Sequence, residues 1–569
     1  MKKRNNRKVR IHLPFLIIFL GFGIIGLRLF QLQVIEHEKY KSLAERARVR
    51  VVDISPERGI IYDVNIKPVS VNINSFSLYA SPGRISHPEQ AAENLALILE
   101  GEDKDSVLSK LKRDAVFVWI ARKISVEDKR KIEKLNLEGF GFIEEKKRLY
   151  PEGELTSHIL GWAGIDNQGL SGIEYYYEDK LRGEEGTVLL KRDARGYYIP
   201  FTRNALREVV PGQDLVLTID SKVQSIVEQE LSRALKETGA QSVEAIFMHP
   251  HTGEIIALAN KPDYDPNYWS NYATYERRNR AVQFMYEPGS TFKVFTAAAL
   301  LEEKLISLEE KIYCDAFLRF GSYTITDWKE FNKEMSFAEI IYNSSSVGMI
   351  KAAQRMEKDT FHRYISNFGF GKETGIDLPG EAKGLVKPVN SWYLTDLPCI
   401  STGQGIAVTP LQMVVALSAV VNGGNLLRPF VVKGIRDFEG NIIEKNEPYI
   451  IRRVISEETS ITLREILGYV VKEGTAKKAE VRGYTIGGKT GTAQIPSPQG
   501  RGYLQGKYTA SFMGFAPVGN PQIAGIVVIK EPAGAYYGGD VAAPVFGRIL
   551  FRILPLLGIM PQEELWVRK

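Results

Sequence analysis

Residues 13–27 carry no charged or hydrogen-bonding side chain, and the apolar character continues past Arg28 through Leu29, Phe30, Leu32, Val34 and Ile35. About 20 apolar residues are what a helix needs to cross a bilayer, and a helix satisfies its own backbone polar groups there. Lys2, Lys3, Arg4, Arg7, Lys8 and Arg10 precede the run, with no acid among the first ten residues. A basic flank stays on the cytoplasmic side. The expectation is a single-pass anchor over residues 12–35, a cytoplasmic tail over 1–11, and an extracytoplasmic remainder. A cleaved signal peptide is the alternative, but the run exceeds a usual signal core and residues 21–31 offer no convincing small-residue cleavage site.

Charge narrows the rest. The net +6 of the 569 residues resides in that N-terminal cluster; without it 68 basic residues face 68 acidic ones. Such a balance lacks the basic footprint of a nucleic-acid binder. With 44% hydrophobic and 25% charged residues the chain has globular composition and length for two or more domains. Two cysteines, Cys314 and Cys399, do not make a disulfide scaffold. Whether they pair is left open, since pairing depends on geometry that spacing does not give.

A polar stretch over 36–50 leads into Ser55-Pro-Glu-Arg-Gly-Ile-Ile-Tyr-Asp63. From there to about residue 210, β-like runs (76–80, 116–121) alternate with helical patches (88–99), the pattern of an extended α+β module. A second module opens at Pro211. Ser221 and Gln224 have capping-box spacing, and Val223, Ile226, Val227 and Leu231 follow at helical intervals. Runs 243–248 and 254–259 flank His249-Pro-His-Thr-Gly253 and predict a β-hairpin. Residues 484–494, 509–515 and 523–529 predict three more strands, so one antiparallel sheet takes strands from both ends of this module.

The chemistry concentrates in three short segments. In Glu287-Pro-Gly-Ser-Thr-Phe-Lys293, Pro288 and Gly289 punctuate a helix start, placing Ser290 in the first turn, where the helix dipole favours developing negative charge. Lys293, three residues on, shares its face; a desolvated lysine near other cations is neutral enough to take a serine proton. Gly487-Gly-Lys-Thr-Gly-Thr-Ala-Gln494 lies in a predicted strand, with Lys489 and Gly491 on one face and Thr490 and Thr492 on the other. It offers a cation and hydroxyls for a carboxylate, and a glycine that admits close backbone approach. Between these comes Ile341-Tyr-Asn-Ser-Ser-Ser-Val-Gly348, in a break between two helical patterns, where Ser344 can relay a proton.

Taken in order, Ser-Thr-Phe-Lys, Ser-Ser-Ser-Val-Gly and Lys-Thr-Gly-Thr resemble the three active-site motifs of the penicillin-binding transpeptidases. Arg58-Gly-Ile-Ile-Tyr-Asp63, Arg148-Leu-Tyr-Pro151, Gly169-Leu-Ser-Gly-Ile-Glu174, Ser401-Thr-Gly-Gln-Gly405 with Val408-Thr-Pro410, and Tyr537-Gly-Gly-Asp-Val-Ala-Ala-Pro544 resemble the class B branch. The resemblance runs from about residue 55 to 550. It implies a multidomain α/β chain: a transmembrane helix in the bacterial cell (inner) membrane, an α+β pedestal of the dimerisation-domain kind over 36–210, and a transpeptidase domain over 211–569 whose antiparallel sheet is flanked by helices. It makes Ser290 the acylated nucleophile, Lys293 its base and Ser344 part of the proton relay with Lys489. Thr490, Gly491 and Thr492 bind substrate with Ser346, and the backbone N–H groups of Ser290 and Thr492 form the oxyanion hole.

The implied reaction is serine acyl transfer on D-alanyl-D-alanine stem peptides of peptidoglycan, with β-lactams as covalent inhibitors and no cofactor or metal. The implied partners are a polytopic lipid II polymerase and other division proteins, since the segments 287–293 and 401–410 look closer to the septal branch than to the elongation branch. A soluble β-lactamase fits poorly with an anchor and an additional module. One position departs from the family's S-x-N motif: Ser346 stands where asparagine is expected, and a short hydroxyl lacks the two-way hydrogen bonding of an amide. That departure keeps a division-complex scaffold with a weakened site as an alternative. His249-Pro-His251 and Asp263-Tyr-Asp-Pro266 are explained as turn residues, without a ligand role.

Overall fold

The computed structural model describes residues 5–191, 204–320, 323–497, 499–500 and 502–561. They divide into two compact units. One draws on Met1–Glu57 and Gly183–Gly212. It holds the helix Asn5–Phe30 and a three-stranded antiparallel sheet in which Gly186–Lys191 lies between Val49–Ile54 and Asn204–Arg207. The apolar segment Leu13–Ile35 spans 23 residues, none of them buried, and is long enough to cross a membrane.

The other unit comprises Arg58–Arg182 and Gln213–Lys569. Its larger part is built on five antiparallel strands: β1 (Ser242–Met248), β2 (Ile255–Lys261), β3 (Gly487–Pro496), β4 (Tyr503–Ala516) and β5 (Ile523–Lys530), in the order β2-β1-β5-β4-β3. The hairpin β1-β2 and the three late strands form one sheet from distant parts of the chain, as the periodicity predicts, and β3 lies at its edge. Helix α1 (Ser221–Thr238) packs on the hairpin. Its cap differs from the predicted one: Asp220 Oδ1 accepts from the N–H groups of Lys222 and Val223. A carboxylate is the stronger acceptor at a helix start. Gln224 instead exchanges two hydrogen bonds with the backbone of Leu258, tying α1 to β2.

Four further helices position the site: α2 (Lys293–Glu302), α3 (Phe337–Tyr342), α4 (Ser346–Ala353) and α5 (Pro410–Val421). All twelve residues of α5 are buried. Too short to span a bilayer, it is the core helix against which β1 and β5 pack. Thr409 and Gln412 form its capping box, with Pro410 in the first turn where a missing N–H costs nothing. A last helix, α6 (Gly538–Ile553), covers β4.

Beside this lies a seven-stranded sheet in which Pro68–Ala80 pairs with Phe140–Leu149 and Val118–Ile124. Ile61–Tyr62 runs parallel to Asp214–Leu217, which pairs in turn with Val432–Arg436. The sheet therefore takes strands from both sides of residue 210. At its centre three of the class B-like segments meet. Glu174 accepts from Arg58 Nε at 2.6 Å, Arg148 Nε at 2.7 Å and Ser70 Oγ at 3.0 Å, all buried, and Arg58 also pairs with Glu178 at 2.6 Å. Burial raises the Glu174 pKa, but the two guanidiniums outweigh it and hold the carboxyl below its ordinary value. Cys314 and Cys399 are both free thiols, and Asp265 caps a turn by accepting from Asn267 N–H at 2.8 Å. Replacing Glu174 with alanine would leave buried guanidiniums without their shared anion and should cost about 3–5 kcal/mol. The measurement is the urea midpoint of the detergent-solubilised protein; a midpoint equal to wild type would contradict it.

Candidate active site

Ser290 lies half-buried in a 3-10 turn, Gly289–Phe292, that runs directly into α2. Gly289 makes the turn possible. Its φ of +57° suits glycine, its N–H donates to Gly403 O at 3.0 Å, and an added Cβ would lie 2.9 Å from Thr492 O. The Ser290 turn is thus wedged between the 401–405 segment and edge strand β3. Thr296, one turn into α2, donates to Ser401 O at 2.9 Å and fastens the same segment behind it.

Lys293 begins α2 and has no solvent exposure; Lys489, on β3, has none either. One short loop satisfies both. Lys293 Nζ donates to Ser344 O at 2.7 Å and to Ser346 Oγ at 2.9 Å, while Lys489 Nζ donates to Ser344 Oγ at 2.8 Å and to Thr490 O at 3.2 Å. Ser344 connects α3 to α4 with φ +62°, a left-handed conformation that turns its carbonyl and its hydroxyl toward different lysines. Asn343 does not stand in for the missing asparagine: its amide donates to Glu339 O at 3.0 Å within α3. Ser346, despite its length, reaches Lys293, so the hydrogen bond to the lysine survives the change of residue.

Burial lowers the Lys293 pKa to about 8, against the carboxylate of Asp327, which raises it. Lys489 is held well below the ordinary lysine value by burial and then by the charge of Lys293. Both amines therefore give up a proton more easily than an ordinary lysine, as a proton-accepting amine requires.

The remaining predicted residues divide between the two faces of β3. An added Cβ at Gly491 would lie 2.5 Å from Ser511 Oγ, 2.8 Å from Pro288 O and 2.9 Å from Thr291 Cγ2, so glycine is what lets the strand press against the Ser290 turn. Thr492 is partly exposed, and its Oγ1 accepts from Gly538 N–H at 3.0 Å, which leaves the hydroxyl proton free to donate. Thr490 is engaged elsewhere: buried, it pairs through its hydroxyl with Thr475 Oγ1 at 2.9 Å. The structure does not bring its side chain into the lysine network. Asp327, which also joins this site, lies 18 residues before Ser345 in a region of short strands, where no periodicity or spacing singles it out.

Comparison with known proteins matches residues 243–550 to the penicillin binding protein transpeptidase domain and residues 53–217 to the penicillin-binding protein dimerisation domain. The chain is a class B penicillin-binding protein. It is 38% identical to stage V sporulation protein D of Bacillus subtilis (strain 168) over 570 residues, covering 98% of this chain and 88% of that one. It is 31% identical to peptidoglycan D,D-transpeptidase FtsI of Escherichia coli (strain K12) over 552 residues, covering 96% and 91%. Among solved structures, penicillin binding protein 3 from Mycobacterium tuberculosis, complexed with aztreonam, superposes with a TM-score of 0.70 at 26% identity, covering 91% of this chain and all of that one. A peptidoglycan synthetase from Bifidobacterium adolescentis gives 0.73 at 26%, covering 91% and 98%. The activity of this penicillin-binding protein is that of a serine-type D-Ala-D-Ala transpeptidase.

The packing of β3 on the Ser290 turn gives a direct expectation. Gly491→Ala must push the strand away from Pro288, and a displacement approaching 1 Å should slow penicillin acylation by about 10²-fold. The rate of labelling by a fluorescent penicillin measures it, and a wild-type rate would contradict the close contact.

Proposed function

We propose that Ser290 is the acylated nucleophile, Lys293 its general base, and Ser344 with Lys489 the path that returns the proton. The observation that carries this reading is the two-lysine network: Lys293 and Lys489, both fully buried, share Ser344 as their common hydrogen-bond partner. Lys293 takes the hydroxyl proton as Ser290 Oγ attacks the carbonyl of the D-alanyl-D-alanine bond. A C–O bond forms, and charge collects on an oxygen held by the N–H groups of Ser290 and Thr492. The proton passes through Ser344 to the departing D-alanine nitrogen as the C–N bond breaks. An amine from a neighbouring stem peptide then attacks the ester, gives its proton back to the network and frees Ser290. Thr492 donates to the substrate's terminal carboxylate, and Ser346 lines the same cleft. Thr490 acts at one remove, by fixing the strand through Thr475.

Ser290→Ala should abolish labelling by a fluorescent penicillin while wild type is labelled; an unlabelled wild type would defeat the reading and favour a scaffold. Because Lys293 must be neutral to accept the proton, the wild-type acylation rate should climb as pH rises through about 8. A rate that is flat from pH 6 to 9 contradicts that role.

The helix Leu13–Ile35 serves as the anchor, with the basic first ten residues cytoplasmic and the catalytic unit outside. The division role rests on the segments 287–293 and 401–410, which the structure brings into contact through Gly289 N–H and Gly403 O at 3.0 Å. In this role the anchor and pedestal engage a polytopic lipid II polymerase and other division proteins. Depletion in the source bacterium should give filaments with unconstricted septa; loss of rod shape with normal septation would indicate elongation instead.

A further inference from the structure

We infer that Asp327 is a positioning residue for transpeptidation: its carboxylate fixes the Ser344–Ser346 loop and governs how a proton is shared between the two buried lysines. The inference rests on Lys293 being the base. Asp327 directly follows the strand Tyr323–Thr326 and meets the first turn of α4. Its Oδ1 accepts from the N–H of Ser346 and from that of Val347 at 3.3 Å, and its Oδ2 accepts from Ser345 Oγ at 2.7 Å. Ser345, the N-cap of α4, accepts in turn from Gly348 N–H at 3.0 Å. The carboxylate therefore occupies the orphan donors of the helix start, where an anion is favoured.

Each group it holds is next to a group that holds a lysine. Ser346, bound through its N–H, offers Oγ to Lys293; Ser344, one residue before the cap, offers its carbonyl to Lys293 and its hydroxyl to Lys489. Trp328 adds a second tether by donating from Nε1 to Asn343 O at 2.9 Å. With serine at 346 in place of the family's asparagine, only a short hydroxyl reaches Lys293, and its position is set by the backbone that Asp327 grips.

The charge acts as well as the geometry. Lys489 from β3 and Asp327 are the charged groups set against Lys293 among the described residues. On the far side of the loop Cys314 is a buried neutral thiol, and Lys351, in the last turn of α4, is already paired with Asp315. Asp327 thus favours the protonated form of Lys293, opposing burial. Removing its charge makes Lys293 lose its proton at lower pH.

The test is the pH dependence of acylation by a fluorescent penicillin, measured on the full-length protein in detergent together with its melting temperature. Asp327→Asn keeps the shape and an oxygen acceptor but not the charge. It should melt near wild type and shift the rising limb of the acylation profile to lower pH by roughly one unit, the size of effect a neighbouring carboxylate has; Asp327→Glu should restore the limb. If the asparagine variant does not fold, Asp327→Ser, which also retains an acceptor, is measured in the same way. A folded, uncharged variant whose limb coincides with wild type, whether or not the rate has dropped, overturns the inference. Lys293→Ala separates this from the underlying assignment: acylation that persists in that variant with the wild-type profile refutes Lys293 as base, whereas loss of acylation there with an unmoved limb at Asp327 refutes only the role of Asp327.

Discussion

Two ammonium groups without solvent exposure, sharing one serine, are the constraint around which the transpeptidase part of this protein is organised. An ion moved out of water is strongly destabilised unless it is paired, hydrogen-bonded or neutralised. Here both remedies operate. Ser344, Ser346 and the carbonyl of Thr490 supply acceptors to the two amines, and burial lowers both affinities for protons, with the charge of Lys293 lowering that of Lys489 further. The second remedy is also the chemical asset, because an amine that gives up its proton easily near neutrality can take one from a serine.

Meeting that constraint explains the rest of the design. Lys293 is dry because α2 enters the core directly after the Ser290 turn, with its next seven residues buried. Lys489 can approach because β3 is an edge strand and because Gly491 removes the side chain that would hold it off Pro288. The left-handed Ser344 lets one residue face two lysines at once. Held by a carboxylate at the start of α4, the loop between them has little freedom, which is what preorganised catalysis asks of it. Further away, the buried Arg58–Glu174–Arg148 cluster does a different kind of work: it joins three segments separated by as many as 116 residues into one compact unit.

Much of this was legible in the residues. Alternating apolar runs predicted both the hairpin and the late strands, because a half-buried or buried strand must repeat every second residue. Ser344 lies, as its setting predicts, in the break between α3 and α4, whereas Ser290 sits in a 3-10 turn just ahead of the helix that Lys293 begins. Local signals were less reliable where tertiary partners compete. Asp220 displaced Ser221 as the cap of α1, and Gln224 was drawn into β2. Thr490 carries the family pattern, yet its hydroxyl is held by Thr475 on the opposite face of the strand from Lys489.

The class of the chain, a helix long and apolar enough to cross a membrane, and the strands of the antiparallel sheet are all legible in the residues, because hydropathy length, periodicity and short fixed spacings are properties of neighbouring residues. Which of those residues meet follows from the folded chain alone. That the hydroxyl oxygen of Ser346 accepts from Lys293, that Arg58, Arg148 and Glu174 form one buried cluster, and that Asp327 stands behind the Ser344–Ser346 loop all depend on contacts between residues far apart in the chain. Such contacts leave no local pattern, since a carboxylate that caps a helix from another strand looks, in the sequence, like any surface aspartate.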